Sequence, residues 1–321
     1  ARYAVLFLLT LYGVSLVSEI IANNQPLLMS YQNKLYSPVL FVYKGTEFGL
    51  DTEFEPDYKE LEPKILENGW MIKPLIWWGA NESNKAMEKY PAAPHVENML
   101  GTDDRGRDVF VRLLYGFRIS MTFAIVTLIC SIILGTLIGG IQGFFGGKLD
   151  LIGQRLVEVW VSLPYIFMVI LIVNIFEPGL SILVGILAAF SWMTTSYYMR
   201  AECLRLKNQE FALAAKSLGA SRLQVFFQHI VPNAITPLVT LAPFIMSLSI
   251  SALSFLDYMG LGVQAPTASI GELLRQGRNN FLNSWWLAAF PFATLVVTLI
   301  LINFVGEGVR NAFDPRSTVK D

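Results

Sequence analysis

Six apolar stretches divide the chain: Tyr3–Ala22, Ile119–Ile141, Leu151–Phe176, Leu180–Met199, Ala234–Leu256 and Trp285–Val305. A helix of about 20 apolar residues crosses the hydrocarbon core of a bilayer, so the pattern predicts an all-α integral membrane fold with six transmembrane helices. The first stretch is too long for a signal-peptide core, and Ile21-Ala22-Asn23-Asn24 lacks the small-residue pattern of a cleavage site. It is expected to persist as a span, with further basic residues ahead of Ala1.

Between the fourth and fifth stretches lies a polar island with helical order. Phe211, Ala214, Ala215 and Leu218 fall at i, i+3, i+4 and i+7, one face of a short helix. Asn208 is placed to cap its start, Glu210 suits the positive end of its dipole, and Gly219 is placed to stop it. Ser221 and Gln224 form a capping-box pattern that opens a second helix toward His229, and the island itself closes at Val231-Pro232-Asn233. Two alanines on an apolar face suit close docking into another protein. An amphipathic linker is the plainer reading of the same residues.

Charge sets the expected orientation. Residues 200–232 carry Arg200, Arg205, Lys207, Lys216 and Arg222 against Glu202 and Glu210. The 142–150 turn holds Lys148 and the tail holds Arg310, Arg316 and Lys320, whereas the turn after the third stretch offers only Glu177. The excess of Lys and Arg places 200–232, the 142–150 turn and the C-terminus in the cytoplasm, and six spans then put the N-terminus there too. Segment 23–118 is then periplasmic, because a loop of this length escapes the rule.

Composition strengthens the membrane reading and removes several functions. Hydrophobic residues make up 54% of the chain and charged residues 15%, with mean hydropathy +0.49; soluble proteins carry about 25% charged residues. A net charge of −1 provides no basic field for nucleic acid. Cys130 and Cys203 make no disulfide framework. Gly147-Lys148 comes nearest to a phosphate-binding loop, but Leu149 follows it and Gln142 stands where the first glycine is needed. His95 and His229 fall on opposite sides of the predicted membrane, and Cys203 has no base in register. No catalytic, cofactor or metal site is expected on this chain, and so no enzyme.

The outer segment has two parts. Residues 23–98 are polar, rich in tyrosine and tryptophan, and interrupted by Pro26, Pro38, Pro56, Pro63, Pro74, Pro91 and Pro94, which disfavour long regular elements. A cap that seats a binding protein and a small packed insert without a partner both fit this composition. Then come Leu100-Gly101-Thr102-Asp103-Asp104-Arg105-Gly106-Arg107-Asp108-Val109 and Arg112. Val109, Arg112, Leu113 and Gly116 share a helical face, so 101–118 reads as an interfacial helix with snorkelling basic side chains.

Polar groups within the spans are the candidates for a solvated path: Asn174, Ser247, Ser251, Ser254 and Asn303, with Asp257 at the outer mouth. Asp257 is placed there to attract a positive amino terminus. The serines read more readily as helix-packing contacts than as substrate ligands, and either asparagine also reads as a hydrogen-bond partner of a neighbouring helix. Few ionisable groups occupy span centres, which argues against a proton relay.

Several of these motifs together resemble those of one family. The hallmark loop of ABC importer permeases reads Glu-Ala-Ala, three residues, Gly, nine residues, Ile, one residue, Leu-Pro. Ala214, Ala215, Gly219 and Pro232 match it in spacing, while Leu213, His229 and Val231 depart from Glu, Ile and Leu. The 100–109 block is similar to the LGTD-x-x-GRD-V signature of dipeptide and oligopeptide permeases of the C-subunit type. Ser162-Leu163-Pro164 resembles their span kink, Leu261-Gly262-Val263-Gln264-Ala265-Pro266 their outer loop, and Asp314-Pro315 their end. The long outer insert, Glu158-Val159-Trp160 and Leu256-Asp257-Tyr258-Met259-Gly260 look most like the Yej-type E subunits, whose importers take oligopeptides and the peptide-nucleotide antibiotic microcin C.

The resemblance implies the type I permease fold in a bacterial inner membrane. It implies half of a translocation pore, completed by a second permease subunit, fed by a periplasmic peptide-binding protein and driven by ABC ATPase subunits that hold ATP and Mg. Glu210, Phe211, Ala214, Ala215, Leu218, Gly219 and Arg222 would then couple this chain to the ATPase. The expected organisation is a first helix at 1–22, a periplasmic insert at 23–100, an interfacial helix at 101–118, a five-helix core at 119–306 with coupling loop 200–232, and a cytoplasmic tail at 307–321. A stand-alone secondary transporter or channel for small solutes would need charged coupling-ion sites or an inverted repeat, and neither is visible.

Overall fold

A computed structural model describes residues 2–67, 69–176 and 179–313. Glu177 of the predicted outer turn and Asp314, Pro315, Arg316 and Lys320 of the predicted tail lie outside the described residues. In order, the helices are α1 (Arg2–Leu16), α2 (Ser18–Ile21), α3 (Tyr58–Glu67), α4 (Val109–Phe145), α5 (Gly147–Val161), α6 (Tyr165–Ile175), α7 (Leu180–Leu206), α8 (Glu210–Ser217), α9 (Arg222–Gln224), α10 (Val231–Met259), α11 (Ile270–Asn279) and α12 (Trp286–Phe313). Three short strands are β1 (Leu28–Tyr31), β2 (Lys34–Tyr36) and β3 (Gly69–Ile72). The chain divides into two compact units, one of residues 1–8, 120–264 and 295–321, the other of residues 9–119 and 265–294.

Among the described residues, four helices are long and apolar enough to cross a membrane: α4, α7, the run from Arg222 to Met259, and α12. Helices α5 and α6 form a fifth span if taken together, bent by 74° where Ser162-Leu163-Pro164 intervenes. Proline lacks an N–H and disfavours helix in the residue before it, so the break falls where the sequence places it. The first of the six expected spans is the 15-residue α1, shorter than a straight crossing requires.

Two predicted boundaries disappear. The helix opened by Ser221 does not stop near His229 ahead of a separate span at Ala234; it continues to Met259, because Val225–Ile230 is wound as a π-helix. The wider winding shifts the preceding turn away from the proline ring, which would clash in a regular helix. Likewise, 101–118 is no separate interfacial helix, since α4 starts at Val109 and runs unbroken to Phe145.

In the first unit α4 lies backbone-to-backbone against α7. A Cβ at Gly139 would stand 2.1 Å from the Ser196 carbonyl oxygen, and one at Gly143 would stand 2.4 Å from that of Arg200. Ser131 Oγ and Thr195 Oγ1 are 2.8 Å apart in the same seam. Small residues at intervals of four permit this approach, which in lipid substitutes for a hydrophobic driving force.

The second unit contains a three-stranded antiparallel sheet in the order β2-β1-β3, an element the proline-rich insert did not advertise. Its inner face brings Met29, Tyr31 and Met71 onto Phe48, Tyr58, Leu61 and Ile65. Elsewhere the insert is hydrogen-bonded to the signature block. Asn98 Nδ2 donates to Asp108 Oδ2 at 2.7 Å, and Arg112 Nη1 donates to the Ala80 carbonyl at 3.0 Å. The expected boundary at residue 100 is therefore not a fold boundary, and removing 23–98 would strip partners from Asp108 and Arg112.

Candidate functional site

The 200–232 segment of the first unit folds as the predicted elbow, with changes that matter. Arg200 holds Asp150 through two bonds of 2.6 and 2.8 Å, and Lys207 Nζ donates to the Gly143 carbonyl at 2.8 Å. These contacts tie the entry of the elbow to α5 and to the end of α4. Helix α8 starts after Gln209 rather than at an Asn208 cap; Asn208 instead donates to the Leu204 carbonyl.

Helix α8 ends as Gly219 predicts. Gly219 has φ +88, its N–H donates to Lys216 O, and the Ala220 N–H donates to Ala215 O, the paired bonds of a left-handed helix stop. Two residues later the capping box forms: Ser221 Oγ accepts from Gln224 N–H, and the Ser221 N–H donates to Gln224 Oε1 at 2.8 Å. Ser221→Ala should remove about 1 kcal/mol of local helix stability, read as faster amide exchange at Gln224 with the global melting point little changed.

Ala215 is corrected by its burial. It is 8% exposed and packs with Ala212 into a core of Phe144, Met199, Cys203, Leu206, Val225, Phe226 and Ile230. The small side chains let α8 settle onto its own chain, so Ala215 offers nothing to a partner and Ala215→Trp would break the interior. The exposed surface of the elbow is Glu210, Phe211, Ala214, Leu218, Gly219 and Arg222 from the predicted set, joined by Leu213, Leu223 and Phe227. Leu218 is 89% exposed at the tip. Leu213, which departs from the family's Glu, thus alters the outer surface and not the core.

Several of the proposed path residues make contacts within their own helix or the turn beside it. Asn174 and Asn303 are exposed, and Asn174 Nδ2 returns to the Ile170 carbonyl. Ser251 Oγ donates to the Ser247 carbonyl, and Ser254 is buried. Asp257 is not at an open mouth: it is 5% exposed, and Oδ1 accepts the Val263 N–H at 2.8 Å across the turn after α10. Its fixed role is to staple that turn. Asp257→Ala should cost about 1–3 kcal/mol by leaving the Val263 N–H without its acceptor, visible as a lowered melting point.

A cluster that sequence reading missed lies in the second unit. Arg112, fully buried, donates to Glu272 Oε2 at 2.5 Å and to the carbonyls of Ala80, Pro266 and Thr267. Arg107 Nε donates to Asp103 Oδ2 at 2.7 Å, and its Nη2 lies 3.4 Å from Glu272 Oε1. Ser269 Oγ accepts the Glu272 N–H and fixes the start of α11. Neither arginine snorkels. Beside them, burial pushes the Asp108 carboxyl up, against hydrogen bonds from Asn98 and the Val111 N–H that favour its charged form. An arginine on the otherwise apolar Val109/Leu113/Gly116 face was the available sign of a buried acidic partner.

Comparison with known proteins gives this geometry a family. Residues 131–319 match the model of the binding-protein-dependent transport system inner membrane component. The chain is 41% identical to the inner membrane ABC transporter permease protein YejE of Escherichia coli K12, over 97% of this chain and 92% of that protein. It is 39% identical to the peptidoglycan transport system permease protein YejE of Agrobacterium fabrum, over 97% and 88%. Identity to the dipeptide transport system permease protein DppC of Bacillus subtilis is 34%, over 70% of each. Among solved structures, a chain of the MetNI methionine ABC transporter in an inward-facing conformation aligns with TM-score 0.54 at 16% identity, covering 63% of this chain and 97% of that one, a likeness of fold. With apolar helices of membrane-spanning length and a family match over more than half its residues, the chain belongs to the inner membrane components of binding-protein-dependent ABC transport systems.

Proposed function

We propose that this chain is a permease subunit of an ATP-driven peptide importer, and that its elbow receives the ATPase. A second permease subunit completes the pore, a periplasmic peptide-binding protein delivers the substrate, and ATP and Mg are bound on the ATPase subunits. The chain catalyses no bond chemistry. In this reading it has six spans, the first made by α1 and α2, with both termini and the elbow cytoplasmic and the insert periplasmic. Oligopeptides are the substrate class, supported by the relatives named as peptide permeases, and peptide-nucleotide antibiotics such as microcin C fall within it.

The observation that carries the reading is the apolar tip of the elbow. Leu218 projects from a glycine-stopped turn, between α8 and a helix that runs without interruption into a span. Such a tip has no use within the chain and suits a groove on a partner. A rotation of the elbow would pass into the run from Arg222 to Met259 and switch access to the pore.

Cross-linking tests this directly. A Leu218→Cys variant, with Cys130 and Cys203 replaced by serine, should form a covalent adduct with the ATPase subunit in intact membranes when treated with a short bifunctional thiol reagent. Absence of an adduct at Leu218, at Arg222→Cys and at Phe211→Cys alike would overturn the coupling assignment.

A further inference from the structure

The outer face of the sheet in the second unit has no counterpart within the chain. The register pairs Leu28 with Ile72, and Ser30 with both Trp70 and Leu35, so these five residues share one face. Leu28, Leu35, Trp70 and Ile72 are 36%, 68%, 42% and 50% exposed, and no charged residue interrupts them. The opposite face, with Met29, Tyr31 and Met71, is the one that packs the core. A sheet normally turns polar residues to water on its free side; this one turns leucine, isoleucine and tryptophan.

More exposed apolar side chains collect at one end of the sheet. Leu40, Phe41 and Val42 are 74%, 62% and 77% exposed in the turn after β2. That turn is tied to the start of β1, since Ser37 Oγ donates to the Leu27 carbonyl and the Leu27 N–H donates to Ile72 O. The same end is stitched to α2. The Ile76 N–H donates to the Ile21 carbonyl at 2.8 Å, and the Asn23 N–H donates to Ile76 O at 3.2 Å. Around the end of α2 lie groups typical of the membrane–water boundary: Arg118 on Glu19, and the Tyr115 hydroxyl on the Ala22 carbonyl. The apolar end of the sheet is thus fixed by backbone hydrogen bonds to the end of α2.

We infer that this sheet face, with the Leu40–Val42 turn, rests in the lipid interface beside α2. Leucine, isoleucine, phenylalanine and valine supply the buried area, and Trp70 suits the headgroup level. A protein partner would have to be recruited, whereas the bilayer is held at high effective concentration by the five residues of chain between Ala22 and Leu28. The inference rests on the proposal that α1 and α2 cross the bilayer, and it gives the insert a surface that binds lipid, not the peptide-binding protein.

Site-directed spin labelling tests it. The full chain, assembled with its partner subunits and with Cys130 and Cys203 replaced by serine, is reconstituted in vesicles of phosphatidylethanolamine and phosphatidylglycerol. Labels are placed singly at Leu35→Cys, Phe41→Cys, Leu16→Cys on α1 and Glu53→Cys elsewhere in the insert. The expected result is that Leu35 and Phe41, like Leu16, are relaxed several-fold more by oxygen than by a water-soluble nickel chelate, with the reverse at Glu53. If Leu16 reports lipid but Leu35 and Phe41 report water, the face is not membrane-bound and only this inference fails. If Leu16 itself reports water, the span reading of α1 and α2 fails and takes the inference with it. Labels at Leu35 and Phe41 that are wet until the peptide-binding protein is added, and immobile afterwards, would assign the face to that protein instead.

Discussion

Replacing Arg112 by alanine is expected to cost about 3–5 kcal/mol, the largest single loss of stability in the second unit. The substitution leaves the buried Glu272 carboxylate with the longer contact to Arg107 and the neutral Gln276 amide as donors, and takes the donor from three backbone carbonyls. Thermal unfolding in detergent should fall markedly, and the protein should accumulate poorly in membranes. Arg112→Lys retains the charge but not the planar fork that serves Glu272 and the carbonyls together, so it should recover only part of the loss. The pair Arg112→Met with Glu272→Met should melt above Arg112→Ala, because neither charge is then stranded. A melting point for Arg112→Ala within about 2 °C of the parent would mean that the cluster is not a keystone of its unit.

At the elbow the expected effect is on transport and not on folding. Leu218→Asp puts a carboxylate at the most exposed apolar position of the tip, where no neighbouring packing within the chain is disturbed. In Gly219→Val the added Cβ meets no atom within 4 Å, but the residue must hold φ +88, a strain of about 1–2 kcal/mol for a residue with a Cβ. Both proteins should insert and accumulate as the parent does, and both should lose peptide uptake to background because the ATPase no longer seats. Uptake at the parental rate in both, with normal expression, would reduce 208–232 to a connecting segment.

The contrast between these two sites explains what the sequence could disclose. The elbow is made of local signals: the stop at Gly219, the reciprocal bonds of Ser221 and Gln224, and the break at Pro164 each depend on residues within five positions of one another. Such features are legible from order alone. The partner of Arg112 lies 160 positions away at Glu272, and no local pattern points to it. Asp257 was misplaced for a similar reason, since a carboxylate at a helix end reads as exposed until the turn folds Val263 back onto it. Ala214 and Ala215 looked equivalent, yet one faces out and the other in, because α8 packs through Ala212 and Ala215. The strands of the insert, three or four residues long and set among prolines, are too short to give a periodic signal.

The uninterrupted run from Arg222 to Met259 has a mechanical consequence. At 1.5 Å per residue, its 38 residues measure about 57 Å along the axis, enough to act as a push-rod through the whole thickness of a bilayer. One end carries the elbow, and the other ends at the turn that Asp257 holds shut. A tilt of about 10° at the base of a rod of that length sweeps its tip by roughly 10 Å, so a small displacement at one surface arrives enlarged at the other. The π-wound segment Val225–Ile230 sits at the base, where a change in winding would alter the angle of everything above it.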